Sequence, residues 1–172
     1  MKNTKVRKRN YLVPLLFIIY MALLVWIILF KLQFSISELD SIRSINLIPF
    51  YYDNEVNIAF HLNEVLENVA IFIPLGIYLS LLENVPNFKK KLILISVTSL
   101  ALEVSQYILS IGRSDITDLL TNICGGVIGI CSYWLLTKVF RSKNRADFII
   151  TFVASIVTVF VLGVLFILLA AN

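Results

Sequence analysis

Arg113-Ser114-Asp115 opens a run in which Asp118, Asn122, Gly125 and Gly129 recur at helical spacing inside an otherwise apolar segment. The preceding apolar segment carries Glu103 and Gln106 in the same way. An ionised side chain at the centre of a membrane helix costs on the order of 3 kcal/mol, so such groups face protein, find partners and mark function by default. Three chemistries suit these residue types. Glu103, Asp115 and Asp118 could act as general acids or bases, or join an amide in ligating a hard divalent cation. Arg43 and Arg113 could hold a phosphate or carboxylate through bidentate hydrogen bonds. A lone deep carboxylate could relay protons.

Composition defines what must position these groups. The chain of 172 residues is 59% hydrophobic, and its apolar residues come in uninterrupted blocks. Five blocks are long enough to cross a hydrocarbon core about 30 Å thick at 1.5 Å per residue: residues 12–30, 65–82, 92–111, 116–137 and 148–171. The expectation is an all-α, polytopic membrane bundle of about five helices, forming a single domain over residues 1–172 without repeats or linkers. The first block follows Lys2, Lys5, Arg7, Lys8 and Arg9, but it is too long for a signal peptide and no small-x-small cleavage site follows Phe30. It reads as a retained helix.

Basic residues set the expected orientation, because Lys and Arg near helix ends stay cytoplasmic. Five precede the first block, Lys89 to Lys91 separate the second and third, and Lys138, Arg141, Lys143 and Arg145 separate the fourth and fifth. Twelve of the fifteen fall on one side, leaving Lys31, Arg43 and Arg113 for the other. The amino terminus is therefore expected inside and the carboxyl terminus outside. The net charge of +4 is a topology signal, and a nucleic-acid partner is rejected. On this scheme Glu103 lies roughly 12 Å below the outer edge of the third helix.

Several features carry a plain structural reading. Ser114 or Asp115 can cap the fourth helix, with Asp118 in its first turn favoured by the helix dipole. Gly125, Gly126 and Gly129 form a small-residue stripe suited to helix packing, which would also permit a homodimer. Pro74 should kink the second helix, and His61 reads as a surface residue. Cys124 and Cys131, seven apart, read as small buried packing residues. No Cys/His cluster has zinc spacing and no phosphate-binding loop or nucleophile elbow is present, so no metal or cofactor is assigned. The loop from about residue 33 to 63, with Ile45-Asn46-Leu47-Ile48-Pro49-Phe50 at its centre, is expected at headgroup level or dipping back into the bundle.

Arg43-Ser44-Ile45-Asn46-Leu47-Ile48-Pro49-Phe50, Glu67-Asn68 with Phe72-Ile73-Pro74-Leu75-Gly76, Glu103-x-x-Gln106, and Arg113-Ser114-Asp115 with Asp118, Asn122, Gly125 and Gly129 together resemble the VanZ-like family. The ordered set spans residues 43–129, the motif-bearing core. The resemblance implies a bacterial cytoplasmic-membrane protein of the cell envelope connected with low-level resistance to teicoplanin, a lipid-bearing glycopeptide.

Two functional classes follow. In the first, a non-catalytic envelope factor binds a lipid-linked precursor or lipoglycopeptide in an outward-opening polar pocket formed by Arg43, Asn46, Glu67, Asn68, Glu103, Gln106, Arg113, Asp115, Asp118 and Asn122. In the second, a membrane-embedded enzyme acts on an envelope lipid carrier, with Glu103, Asp115 and Asp118 as the catalytic candidates. A proton-coupled transporter is less attractive, because five helices without inverted repeats do not match the usual transporter design.

Overall fold

A computed structural model describes residues 11–30, 42–50, 58–82 and 87–171, at positions 30, 42, 43, 58–60, 112, 113 and 171 by the backbone alone. The described residues form five helices: α1 (Leu12–Phe30), α2 (Ile58–Leu81), α3 (Phe88–Leu109), α4 (Ile116–Val139) and α5 (Lys143–Ala171). Each is long and apolar enough to cross a membrane. The helical bundle expected from the hydropathy blocks is therefore present.

Helix ends depart from the apolar blocks where caps or polar turns extend them. Helix α2 begins seven residues before Val65, taking in His61, Asn63 and Glu64, because a helix in protein or at an interface need not be apolar throughout. Helix α3 begins at Phe88 because Asn87, in an extended conformation, accepts the Lys90 N–H at 3.1 Å and so caps the first turn. At its far end Ser110 adopts a left-handed conformation and stops the helix two residues short of Ile111.

The bundle carries a feature absent from the all-α expectation. Strands β1 (Ile42–Asn46) and β2 (Ile111–Asp115) pair in parallel, with Ile42 opposite Ile111 and Asn46 opposite Asp115. The chain thus runs helix, strand, helix twice, and β2 passes directly into α4.

Helices α2 and α4 form the closest pair. Gly125 lies against the Val69 backbone and Gly129 against that of Ile73, so the contact advances in step along both chains and the helices run parallel. A Cβ on Gly76, Gly125 or Gly129 would strike backbone of the facing helix, while one on Gly126 would meet Ile95 Cδ1 of α3 at 2.7 Å. The glycine stripe is taken up by packing inside the chain. Phe72, Leu75, Ile95, Leu102 and Ile130 fill the core around this pair, with Leu24 and Leu29 of α1.

Tyr20 of α1 donates to the Ile71 carbonyl at 2.8 Å, next to Ala70, whose carbonyl is the one the missing N–H of Pro74 deprives of its ladder donor. Helix α5 rests against α1 and α4, and its most apolar stretch has no buried residue. Cys124 and Cys131 are exposed on the bundle surface, contrary to the buried packing role expected of them. Their seven-residue spacing puts them on one face of α4, and the glycines fill the opposite, buried one.

Replacing Gly129 with Val forces branched carbons into the Ile73 backbone, and overpacking of this kind costs about 1–3 kcal/mol or more. Thermal unfolding in detergent should show Gly129→Val clearly destabilised and Gly163→Val close to wild type, since nothing lies within 4 Å of a Cβ at Gly163.

Candidate functional site

The polar residues gather at the end of the bundle that carries the sheet. Asp115 ends β2 and caps α4, with φ −123° and ψ 128°. Its Oδ1 accepts the Thr117 N–H at 2.8 Å, and its Oδ2 accepts Asn46 Nδ2 at 2.9 Å from the register partner on β1. Both carboxylate oxygens are therefore held by protein donors.

Glu103 fastens α3 to the same junction. It is buried, its Oε2 accepts the Asp115 N–H at 3.0 Å, and its backbone carbonyl accepts Ser114 Oγ at 2.7 Å. A hydrogen bond of this type contributes about 0.5–1.5 kcal/mol and satisfies a backbone donor that would otherwise be stranded. Asp118 and Asp115 each lie near enough to Glu103 to act on it electrostatically. Three carboxyl groups thus share one small region.

One turn along α4 from the cap, Asp118 Oδ1 accepts Asn68 Nδ2 of α2 at 2.7 Å. A turn further, Asn122 is 1% exposed and donates through Nδ2 to Ser99 Oγ of α3 at 3.0 Å, while its Oδ1 is buried without a hydrogen-bond partner. Ser99 and Glu103 are four apart on α3, and Asp118 and Asn122 four apart on α4, so the two helices face each other through successive polar rungs. Asn122 sits deepest in this stack.

Asn46, Asn68, Glu103, Asp115, Asp118 and Asn122 thus come together at one end of the bundle. Gln106 is buried beside them but turns toward α1, donating through Nε2 to the Ile28 carbonyl at 3.0 Å; its Oε1 is buried without a partner. Glu67 is exposed on α2, and no described contact brings it into the cluster. Arg43 and Arg113 are placed by their backbones in the sheet, opposite Gly112 and Ser44, and their side chains lie outside the description. Among the described residues no three His, Cys, Asp or Glu side chains are grouped to hold a metal ion.

Thr117 and Ser99 were not singled out from sequence, and Ser114, read there as a possible cap, leaves the cap to Asp115 and donates to the Glu103 carbonyl. Ser99 extends the Glu103–Gln106 stripe by one turn, a period-3.6 signal that was available. Thr117 binds the Phe50 N–H at 3.0 Å through a contact 67 residues distant, for which no local pattern exists.

These features define a multi-pass membrane protein in which a short parallel sheet closes one end of a helical bundle over a buried carboxylate and amide cluster. A family model described as VanZ/LLP1 matches residues 17–138. The chain is 36% identical over 146 residues to Protein VanZ of Enterococcus faecium, a match covering 84% of this chain and 86% of that protein. The chain belongs to the VanZ/LLP1 family. No solved structure matches it.

Asn46 and Asp115 share a hydrogen bond, so their substitutions should not add. A double-mutant cycle of Asn46→Ala and Asp115→Ala, read by chemical or thermal unfolding, should give a coupling on the order of 1 kcal/mol, with Asp115→Ala the worse single change because it also removes the cap.

Proposed function

We propose that this protein acts in the bacterial cytoplasmic membrane as an envelope factor that lowers susceptibility to teicoplanin, binding an amphiphilic or lipid-linked molecule at the sheet-bearing end of the bundle. That end faces outward in this reading, with the amino terminus inside, because the lysines in the first turn of α3 and the lysines and arginines around the α4–α5 junction occupy the opposite end. The observation that carries the proposal is the polar stack formed by the buried Glu103 and Asn122 with the half-buried Asp115 and Asp118, set within family membership over most of the chain. Groups of this kind buried in a membrane bundle mark a ligand or ion path by default.

A binding role fits the hydrogen bonding better than catalysis. Asp115 has both oxygens engaged by the Asn46 and Thr117 donors, and Glu103 engages one oxygen on a backbone N–H, so these carboxylates build the site's walls. A general base needs an accepting oxygen within reach of the substrate proton. Asp118, whose Oδ1 takes the Asn68 amide, and Asn122, with its unpartnered Oδ1, are the groups assigned to ligand contact.

The test is susceptibility of a sensitive Gram-positive host expressing the protein at matched membrane levels. Wild type should raise the inhibitory concentration of teicoplanin several-fold, and Asp118→Ala should abolish that gain. Glu103→Gln should retain much of it, because the glutamine carbonyl still accepts the Asp115 N–H. No protection by wild type would overturn the proposal, and complete loss in a folded Glu103→Gln protein would favour acid–base catalysis instead.

A further inference from the structure

The turn that follows β1 presents apolar side chains outward: Leu47 is 75% exposed, Ile48 60% and Phe50 53%, with Pro49 exposed between them. Isolated exposed apolar residues are ordinary on any protein. The backbone of this turn is not ordinary.

The Ile48 N–H donates to Asn46 Oδ1 at 3.2 Å, Pro49 has no N–H, and the Phe50 N–H donates to Thr117 Oγ1 at 3.0 Å. Every donor from Ile48 to Phe50 is thus either absent or bound by a side chain. Phe50 stands at φ 55°, a left-handed conformation that costs a non-glycine residue about 1–2 kcal/mol and is held here by the Thr117 bond. In water such donors would be satisfied by solvent, whereas hydrocarbon offers no partner and each unsatisfied group costs several kcal/mol.

The level of the turn agrees with this requirement. Thr117 is the second residue of α4, whose membrane-spanning stretch begins at Ile116, so the turn lies beside the first turn of a span. Helix α3, which β1 also touches, ends in the exposed residues Tyr107, Ile108 and Leu109. Of the two expectations for the loop, headgroup level or a dip into the bundle, the exposure of these four side chains argues against the second at residues 47–50, and the rest of the loop lies largely outside the described residues.

We propose that residues 47–50 form a wedge inserted among the phospholipid acyl chains of the leaflet at the sheet-bearing end, with lipid as its occupant. The wedge springs from Asn46, which is bonded to Asp115, so the polar cluster has a lipid-facing border as well as the sheet above it.

The test uses full-length protein with Cys124→Ser and Cys131→Ser, a bimane label on Leu47→Cys, and vesicles of phosphatidylcholine and phosphatidylglycerol. Brominated acyl chains should quench the label as they quench one on Val157→Cys, and aqueous iodide, which quenches a label on Lys89→Cys, should leave it bright. Quenching by iodide alone would overturn the proposal in favour of a water-exposed turn. Protection from both quenchers would overturn it in favour of a protein partner. Cooperative thermal unfolding establishes that the labelled protein is folded, and Ile48→Cys serves in its place if the first variant is not.

Discussion

A backbone N–H at the mouth of an apolar bundle must find an acceptor inside the protein, and at the junction of β2 and α4 that acceptor is the Glu103 carboxylate. The constraint arises because the chain returns from α3 to α4 through a short strand with no room for a hydrated loop. Glu103 takes the Asp115 N–H, Asp115 takes the Thr117 N–H and the Asn46 amide, and Asn46 in turn takes the Ile48 N–H. One relay of side chains therefore fixes the end of α3, the start of α4, the register of the sheet and the turn beyond it. Breaking it at Glu103 would strand a donor at the point where four elements meet.

The glycines make the relay geometrically available. Close approach of α2 and α4 at Gly76, Gly125 and Gly129 brings Asn68 within hydrogen-bonding distance of Asp118 and leaves α3 to press Ser99 and Glu103 against the same face of α4. Bulkier residues at the crossing would separate the helices by more than an amide side chain could bridge. Packing and polar chemistry are in this sense one design, with small residues below and hydrogen-bonding residues above on a shared stripe.

The parts of this arrangement that repeat along a helix were legible in the sequence. Hydropathy blocks located five spans, and period-3.6 spacing grouped Glu103 with Gln106 and Asp118 with Asn122, Gly125 and Gly129. The sheet was not legible, because Ile111-Gly112-Arg113-Ser114-Asp115 has no alternating pattern and its partner lies 69 residues away at Asn46. Parallel pairing across two intervening helices leaves no local mark. Glu67 was grouped with Asn68 by its place on the second helix and by the resemblance, but neighbouring helical positions are about 100° apart, and Glu67 lies on the exposed face. Cys124 was misjudged for the converse reason: it adjoins Gly125 in sequence and occupies another face.

The pairing of β1 with β2 is the claim on which the relay, the turn and the closed end of the bundle all rest. Disulfide cross-linking tests it directly, using Ile45→Cys with its register partner Ser114→Cys in a background of Cys124→Ser and Cys131→Ser. Adjacent strand positions meet the Cα separation that a disulfide requires, so mild oxidation in native membranes should join the pair within one chain. Failure to cross-link in protein that still unfolds cooperatively would contradict the pairing, and with it the account of how Glu103 and Asp115 build the site.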